Sequence, residues 1–248
     1  MILSHKFKFI FVKGKKVAGT SVEMALSTIC GPDDIITPIT AIDELQRLTM
    51  GGRAQNYSIS RDIEAAYIRD IQATPLRELS QIIVPKEKYY NHMSLQEVMN
   101  TYAAPLTDYA IVCVERCPYD KILSWANMVL TFKSYQEGAR MKSDLTELRR
   151  FLDQALDNDD FIDVRNIGLY RGSDDRVVAR PMRYENLVAD FTAFLNGLDV
   201  KDLPYLPHAK KGLAKRLEPR EFFRQDQLRK INELFSEEFS TFRYDPIS

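Results

Sequence analysis

Three lysines, two glycines and two hydroxyl residues fall within nine positions near the N-terminus, KGKKVAGTS at 13–21. An apolar stretch, FKFIFV, precedes them, and a helical pattern follows. A strand–turn–helix unit offers the free N–H groups of a helix start to an anion, and the helix dipole favours negative charge there. Gly19 permits close backbone approach, Ala18 is nearly as small, and Thr20 and Ser21 add hydroxyl donors. The nucleotide-triphosphatase loop places a lysine directly after its second glycine. Here Thr20 holds that place, and Lys13, Lys15 and Lys16 come earlier. Alternation along an extended chain does not decide which of the three points inward. Beside the phosphate reading stands a plainer one, a lysine-rich surface turn.

A second cluster is ERCPYDKILS, 115–124. Arg116 ends an apolar stretch, and open α/β sheets bind ligands beyond such strand ends. Ser124 follows eight residues later, within the helix that Pro118 can start. An arginine fork with a serine hydroxyl suits a phosphate monoester. Alone, the pair reads as a strand-end arginine and a packed serine; with the first loop, phosphate binding becomes the better reading.

A reaction that moves a proton would also need a base, and the chain has three histidines. His5 precedes the first strand, and His208 falls in a late Pro-rich loop. His92, in YYNHMSLQEV, lies between the two clusters, just before a capping box formed by Ser94 and Glu97. Neutral imidazole can take a proton near neutral pH; the plainer reading is a histidine hydrogen-bonded at a helix start. Glu87 and Glu115 are the runner-up bases, with Glu115 better placed to orient Arg116. Cys113 and Cys117 lack a nearby histidine pair and read as structural. The late basic stretch, Lys210 to Lys230, reads largely as a solvated helix face.

These residues need a scaffold. FKFIFV reads as a strand buried on both faces, and YAIVCVE at 109–115 as a second. Val22, Ala25, Leu26 and Ile29 give a helix that Gly31-Pro32 ends. Residues 41–48, 61–72 and 75–83 are helical candidates; 33–90 shows no strong strand and is expected to cover the active site. Further helices carry Ile122, Leu123, Ala126, Val129 and Leu130, then Leu145, Leu148, Leu152 and Leu156. RVVARPMRYENL predicts a strand and a helix with Leu187, Val188, Phe191, Phe194 and Leu195 inward. A final helix bears Leu228, Ile231, Leu234, Phe235 and Phe239. The alternation predicts a single P-loop-like α/β domain over 1–248, with a mainly parallel central sheet flanked by helices.

The 34 basic and 35 acidic residues leave a net charge of -1, which argues against a nucleic-acid partner. Three sparse cysteines fit a reducing compartment. No run of about 18 apolar residues predicts a membrane span, and no signal-peptide cleavage site follows MILSHKFKFIFVKG. A cytoplasmic protein is expected.

Together, KKVAGTS and RCPYDKILS resemble the 5′-phosphosulfate loop and the 3′-phosphate motif of PAPS-dependent sulfotransferases, particularly the carbohydrate-type group. RYENL, LPHAKKG and FRYD resemble later segments of that family, so the likeness spans most of the chain except 33–85. It departs at Ala18 for glycine, Cys117 for asparagine and Lys121 for arginine. The resemblance implies transfer of the sulfuryl group from 3′-phosphoadenosine 5′-phosphosulfate (PAPS) to an acceptor hydroxyl, with a glycan or glycolipid as partner and no metal. Lys16 would then meet charge on the leaving phosphate, and the amides of Val17, Ala18, Gly19, Thr20 and Ser21 would hold the 5′-phosphate. Arg116 and Ser124 would read the 3′-phosphate, joined by Lys211 or its neighbour, and His92 would be the base. A P-loop kinase or NTPase and a non-catalytic nucleotide-binding member of the fold are the alternatives.

Overall fold

The computed structural model describes residues 1–136, 145–158, 161, 164–207 and 218–248. The Lys211 and His208 assignments, and the basic residues around them, lie outside these. Five strands form one mixed sheet, ordered β3-β1-β2-β4-β5: β1 is Ile2–Ser4, β2 Phe9–Val12, β3 Ile35–Ile36, β4 Ala110–Glu115 and β5 Arg180–Arg183. The flanking helices are α1 Gly19–Ser27, α2 Ala41–Thr49, α3 Arg61–Ala73, α4 Leu95–Thr101, α5 Pro118–Gln136, α6 Leu145–Asp157, α7 Leu187–Gly197, α8 Pro219–Phe222, α9 Gln225–Leu234 and α10 Ser236–Phe242. No described helix is long and apolar enough to cross a membrane.

The two predicted buried strands pair in parallel, with Phe11 opposite Val112. The sheet is nevertheless mixed rather than mainly parallel. β1, which no sequence signal marked, runs antiparallel to both β2 and β3. Only residues 5–8 separate β1 from β2. A parallel crossover needs a dozen or more residues, so so short a connection forces the antiparallel pairing.

The chain divides into two compact units: Met1–Gly14, Ala18–Val114 and Gly168–Ala209 form the first, and Lys15–Val17, Glu115–Ile167 and Lys210–Ser248 the second. In the first unit, Phe9, Ile10, Phe11 and Val12 are all fully buried, as expected for a strand covered on both faces. The helical candidates of 33–90 are present as α2, α3 and a 3₁₀ segment at Leu76–Gln81. Ala41, Tyr67, Ile71 and Leu79 pack these three together. α4 begins at the expected capping box: Glu97 N donates to Ser94 Oγ at 3.3 Å and Ser94 N to Glu97 Oε2 at 2.9 Å. α7 buries Phe191 and Leu195, one turn apart, but Val188 is 59% exposed and does not point inward as predicted.

In the second unit, Ile122, Leu123 and Ala126 of α5 share a core with Leu148, Leu152 and Leu156 of α6. The predicted final helix is two, α9 and α10, broken at Phe235, whose φ of -106° and ψ of 18° leave the helical region. The break does not expose Phe235: it is fully buried and stacks on Phe161 at 6.0 Å. Phe235→Ala should cost about 3–5 kcal/mol, the usual loss for an aromatic cut from a packed core. Urea unfolding followed by the fluorescence of Trp125, in the same cluster, measures it; a loss below about 1 kcal/mol would contradict this packing.

Candidate functional site

The start of α1 is organised by a buried carboxylate. Glu23 is fully buried, and its Oε2 lies 2.7 Å from Lys13 Nζ. Its Oε1 accepts from Thr37 Oγ1 at 3.1 Å and from the Met1 ammonium at 2.7 Å. Burial pushes this carboxyl up, but Lys13, the Met1 ammonium and Arg47 outweigh it and hold the group at about 2. Of the three lysines that sequence left open, Lys13 is therefore directed into the interior of the first unit, at 2% exposure. Its stem crosses Gly19: a Cβ there would stand 2.9 Å from Lys13 Cγ and 3.2 Å from the Gly14 carbonyl oxygen. The missing side chain of Gly19 makes room for Lys13.

Ala18 caps α1 in the left-handed region, at φ 64° and ψ 21°, and its carbonyl accepts from Ser21 N at 3.1 Å and Val22 N at 3.3 Å. A left-handed residue leading into a helix turns successive N–H groups to one side, the arrangement of an anion-binding nest. The N–H groups of Gly19 and Thr20 have no acceptor within their own helix. Ser21 is 2% exposed, so its hydroxyl is buried, while Thr20 keeps partial exposure. An L-residue in this conformation costs about 1–2 kcal/mol.

His92 joins this group from 79 residues away, its Nδ1 lying 3.0 Å from the Lys13 carbonyl oxygen. A carbonyl only accepts, so Nδ1 carries the hydrogen and Nε2 the lone pair. Burial, and next the charge of Lys13, lower its pKa to about 3, so the ring is neutral through the physiological range. His92 also sits at φ 60°, as Lys16 does at φ 63°. Lys16, Ala18 and His92 thus hold left-handed backbone conformations that L-residues avoid, as do Lys8, Asn56, Asp175, Asp199 and Arg243 elsewhere.

The remaining candidates, apart from Glu87, belong to the second unit. Arg116 follows directly on β4, its N–H donating to Glu115 Oε1 at 2.9 Å, and Ser124 lies partly buried in the second turn of α5. Val17 is fully buried. Glu115 is fully buried against the equally buried Lys121, with 2.7 Å between Nζ and Oε1. That engagement supports the orienting role over the basic one. Glu87, the other runner-up, accepts from Ser58 Oγ at 3.0 Å in the first unit. Asn166 is a residue that sequence reading missed. Its side chain accepts from Lys15 N at 2.8 Å and donates to Lys15 O at 3.0 Å. A lone asparagine carries no motif, and 151 residues separate it from the loop.

The first unit therefore assembles Lys13, Ala18, Gly19 and His92, and the second assembles Lys15, Glu115, Arg116, Lys121 and Asn166. The strain at Ala18 gives a direct test. Ala18→Gly should raise stability by about 0.5–1 kcal/mol, the relieved left-handed cost less the extra chain entropy of glycine. Denaturant midpoints measure this, and a destabilised variant would mean that Ala18 is not left-handed. Comparison with protein-family models, curated proteins and solved structures finds no match.

Proposed function

We propose that this chain is a PAPS-dependent sulfotransferase acting on a carbohydrate hydroxyl. The observation that carries the reading is the hydrogen bond from His92 Nδ1 to the Lys13 carbonyl at 3.0 Å. It ties the histidine chosen as base to the loop chosen as anion site, and it leaves Nε2 with the lone pair. PAPS supplies an activated sulfuryl group on a phosphosulfate anhydride.

The residues divide the work. The N–H groups at the start of α1, with the Thr20 hydroxyl, receive the 5′-phosphate, where helix dipole and free donors both favour an anion. Lys16 meets the charge that develops on the phosphate oxygen as the sulfur–oxygen bond breaks; Lys13, paired with Glu23, is spent on structure. Arg116 and Ser124 receive the 3′-phosphate. The acceptor oxygen bonds to sulfur and its proton passes to Nε2 of His92. Positioning and charge stabilisation supply the rate, since the protein forms no covalent bond. The low pKa of His92 keeps its base form populated, and an anionic donor beside the ring favours the imidazolium as it forms.

Turnover with labelled PAPS against a panel of glycans, lipids and small alcohols tests the reading. His92→Ala should lower kcat by about 10²–10⁴-fold and Lys16→Ala by about 10²–10³-fold, with PAP affinity largely kept in the His92 variant. Transfer needs neutral His92 and is lost only as pH falls through the free-enzyme pKa of about 3. The kcat/KM profile should therefore stay flat from about pH 8 to about pH 5. Unchanged turnover in His92→Ala, or an acid limb near the ordinary histidine value, would remove His92 as base. Absence of transfer to every acceptor, with PAP bound, would favour a non-catalytic member of the fold.

A further inference from the structure

We propose that Asn166 is a positioning residue that locks Lys15–Lys16 to Arg116, so that a nucleoside phosphorylated at both 3′ and 5′ is read as one object. The proposal deepens the sulfotransferase reading and rests on it for the ligand. The contacts that carry it all lie within the second unit.

A side-chain amide that accepts from a residue's N–H and donates to the same residue's carbonyl imitates a strand partner. Asn166 does this to Lys15, at 2.8 and 3.0 Å. Both peptide planes of Lys15 are thereby fixed, and with them the entry into Lys16, whose φ of 63° would otherwise relax. The amide's own orientation is set from the other side. Asn166 Nδ2 lies 3.5 Å from Glu115 Oε2, and a carboxylate only accepts, so the NH₂ must face it and Oδ1 must face Lys15 N–H. Glu115 is held in turn by Lys121 Nζ at 2.7 Å and by the N–H of Arg116 at 2.9 Å, both on Oε1. Tyr244 donates to the Glu115 carbonyl at 3.2 Å. Asn166, Glu115 and Lys121 are each fully buried. A contiguous hydrogen-bonded frame therefore runs Lys16–Lys15–Asn166–Glu115–Arg116, joining the cation assigned to the 5′ end of the donor to the one assigned to its 3′ end. A network of this kind, buried and satisfied, specifies one geometry.

Asn166→Ala deletes the clamp. Asn166→Asp keeps the size but sets an acceptor against the Lys15 carbonyl and the Glu115 carboxylate. Amide hydrogen exchange over 13–18 and 115–118 reads the frame directly. Calorimetric affinities for 3′-phosphoadenosine 5′-phosphate (PAP) and for adenosine 5′-monophosphate read its consequence. In either variant, exchange at Lys15 and Lys16 should rise about tenfold or more. PAP affinity should fall about 10- to 30-fold, the worth of one to two hydrogen bonds, while the monophosphate affinity changes little. A residue serving only stability would weaken both ligands together. Unchanged exchange in both variants, or equal losses for the two nucleotides, overturns the proposal. If the wild type binds neither nucleotide, the sulfotransferase reading fails. Exchange then still decides the clamp: a local rise sustains the Asn166 frame, and no rise overturns it. Should Asn166→Ala fail to fold, Asn166→Asp carries the same readouts.

Discussion

A carboxylate sealed inside the first unit must find cations, and Glu23 finds the Met1 ammonium and, on the loop after β2, Lys13. That pairing decides how the loop after β2 is used. It draws one of three lysines inward, lays its stem across Gly19, and fixes the carbonyl on which His92 rests. Removing Glu23 would cost about 3–5 kcal/mol, because the Lys13 charge would lose its carboxylate away from water. The loop's geometry is therefore secured by a pair of side chains buried in the first unit. In the proposed reaction the loop charge that acts is that of Lys16.

The second unit solves a parallel problem in the same way. Glu115 is as buried as Glu23, and Lys121 answers it. Around that pair the fold attaches two pieces of polar backbone, the N–H of Arg116 directly and the peptide of Lys15 through Asn166. In each unit an ion pair is structural, and the residues proposed to act are neighbours in sequence to one of its members: Lys16 lies near Lys13, and Arg116 follows Glu115. A fixed backbone is a sound way to place a basic residue, since long basic side chains lose much entropy when they must locate a ligand unaided.

Sequence revealed what depends on local chemistry. The β2–loop–α1 unit, the capping box before α4, the helix begun by Pro118 and the leucine stripe of α6 follow from periodicity and caps within a few residues. The mixed sheet was hidden because three-residue β1 and two-residue β3 are too short for a pattern. Val188 fits the apolar rhythm of α7, yet the buried stripe there passes through Phe191 and Leu195 instead. At the site, the residue types were legible and their commitments were not. Nothing in KGKK says that Lys13 is claimed by Glu23, and nothing in a solitary asparagine says that Asn166 grips Lys15. Those facts arise from contacts across ten and 151 residues, which only the folded chain creates.

The sulfotransferase proposal requires that the chain bind a doubly phosphorylated nucleoside without a metal. Thermal stabilisation of the wild-type chain measures it most directly, comparing PAP in the presence of a chelator with ATP and magnesium. The expected result is a rise in melting temperature with PAP that the chelator leaves intact, and little or none with ATP and magnesium. Stabilisation by ATP and magnesium, with none by PAP, would contradict it.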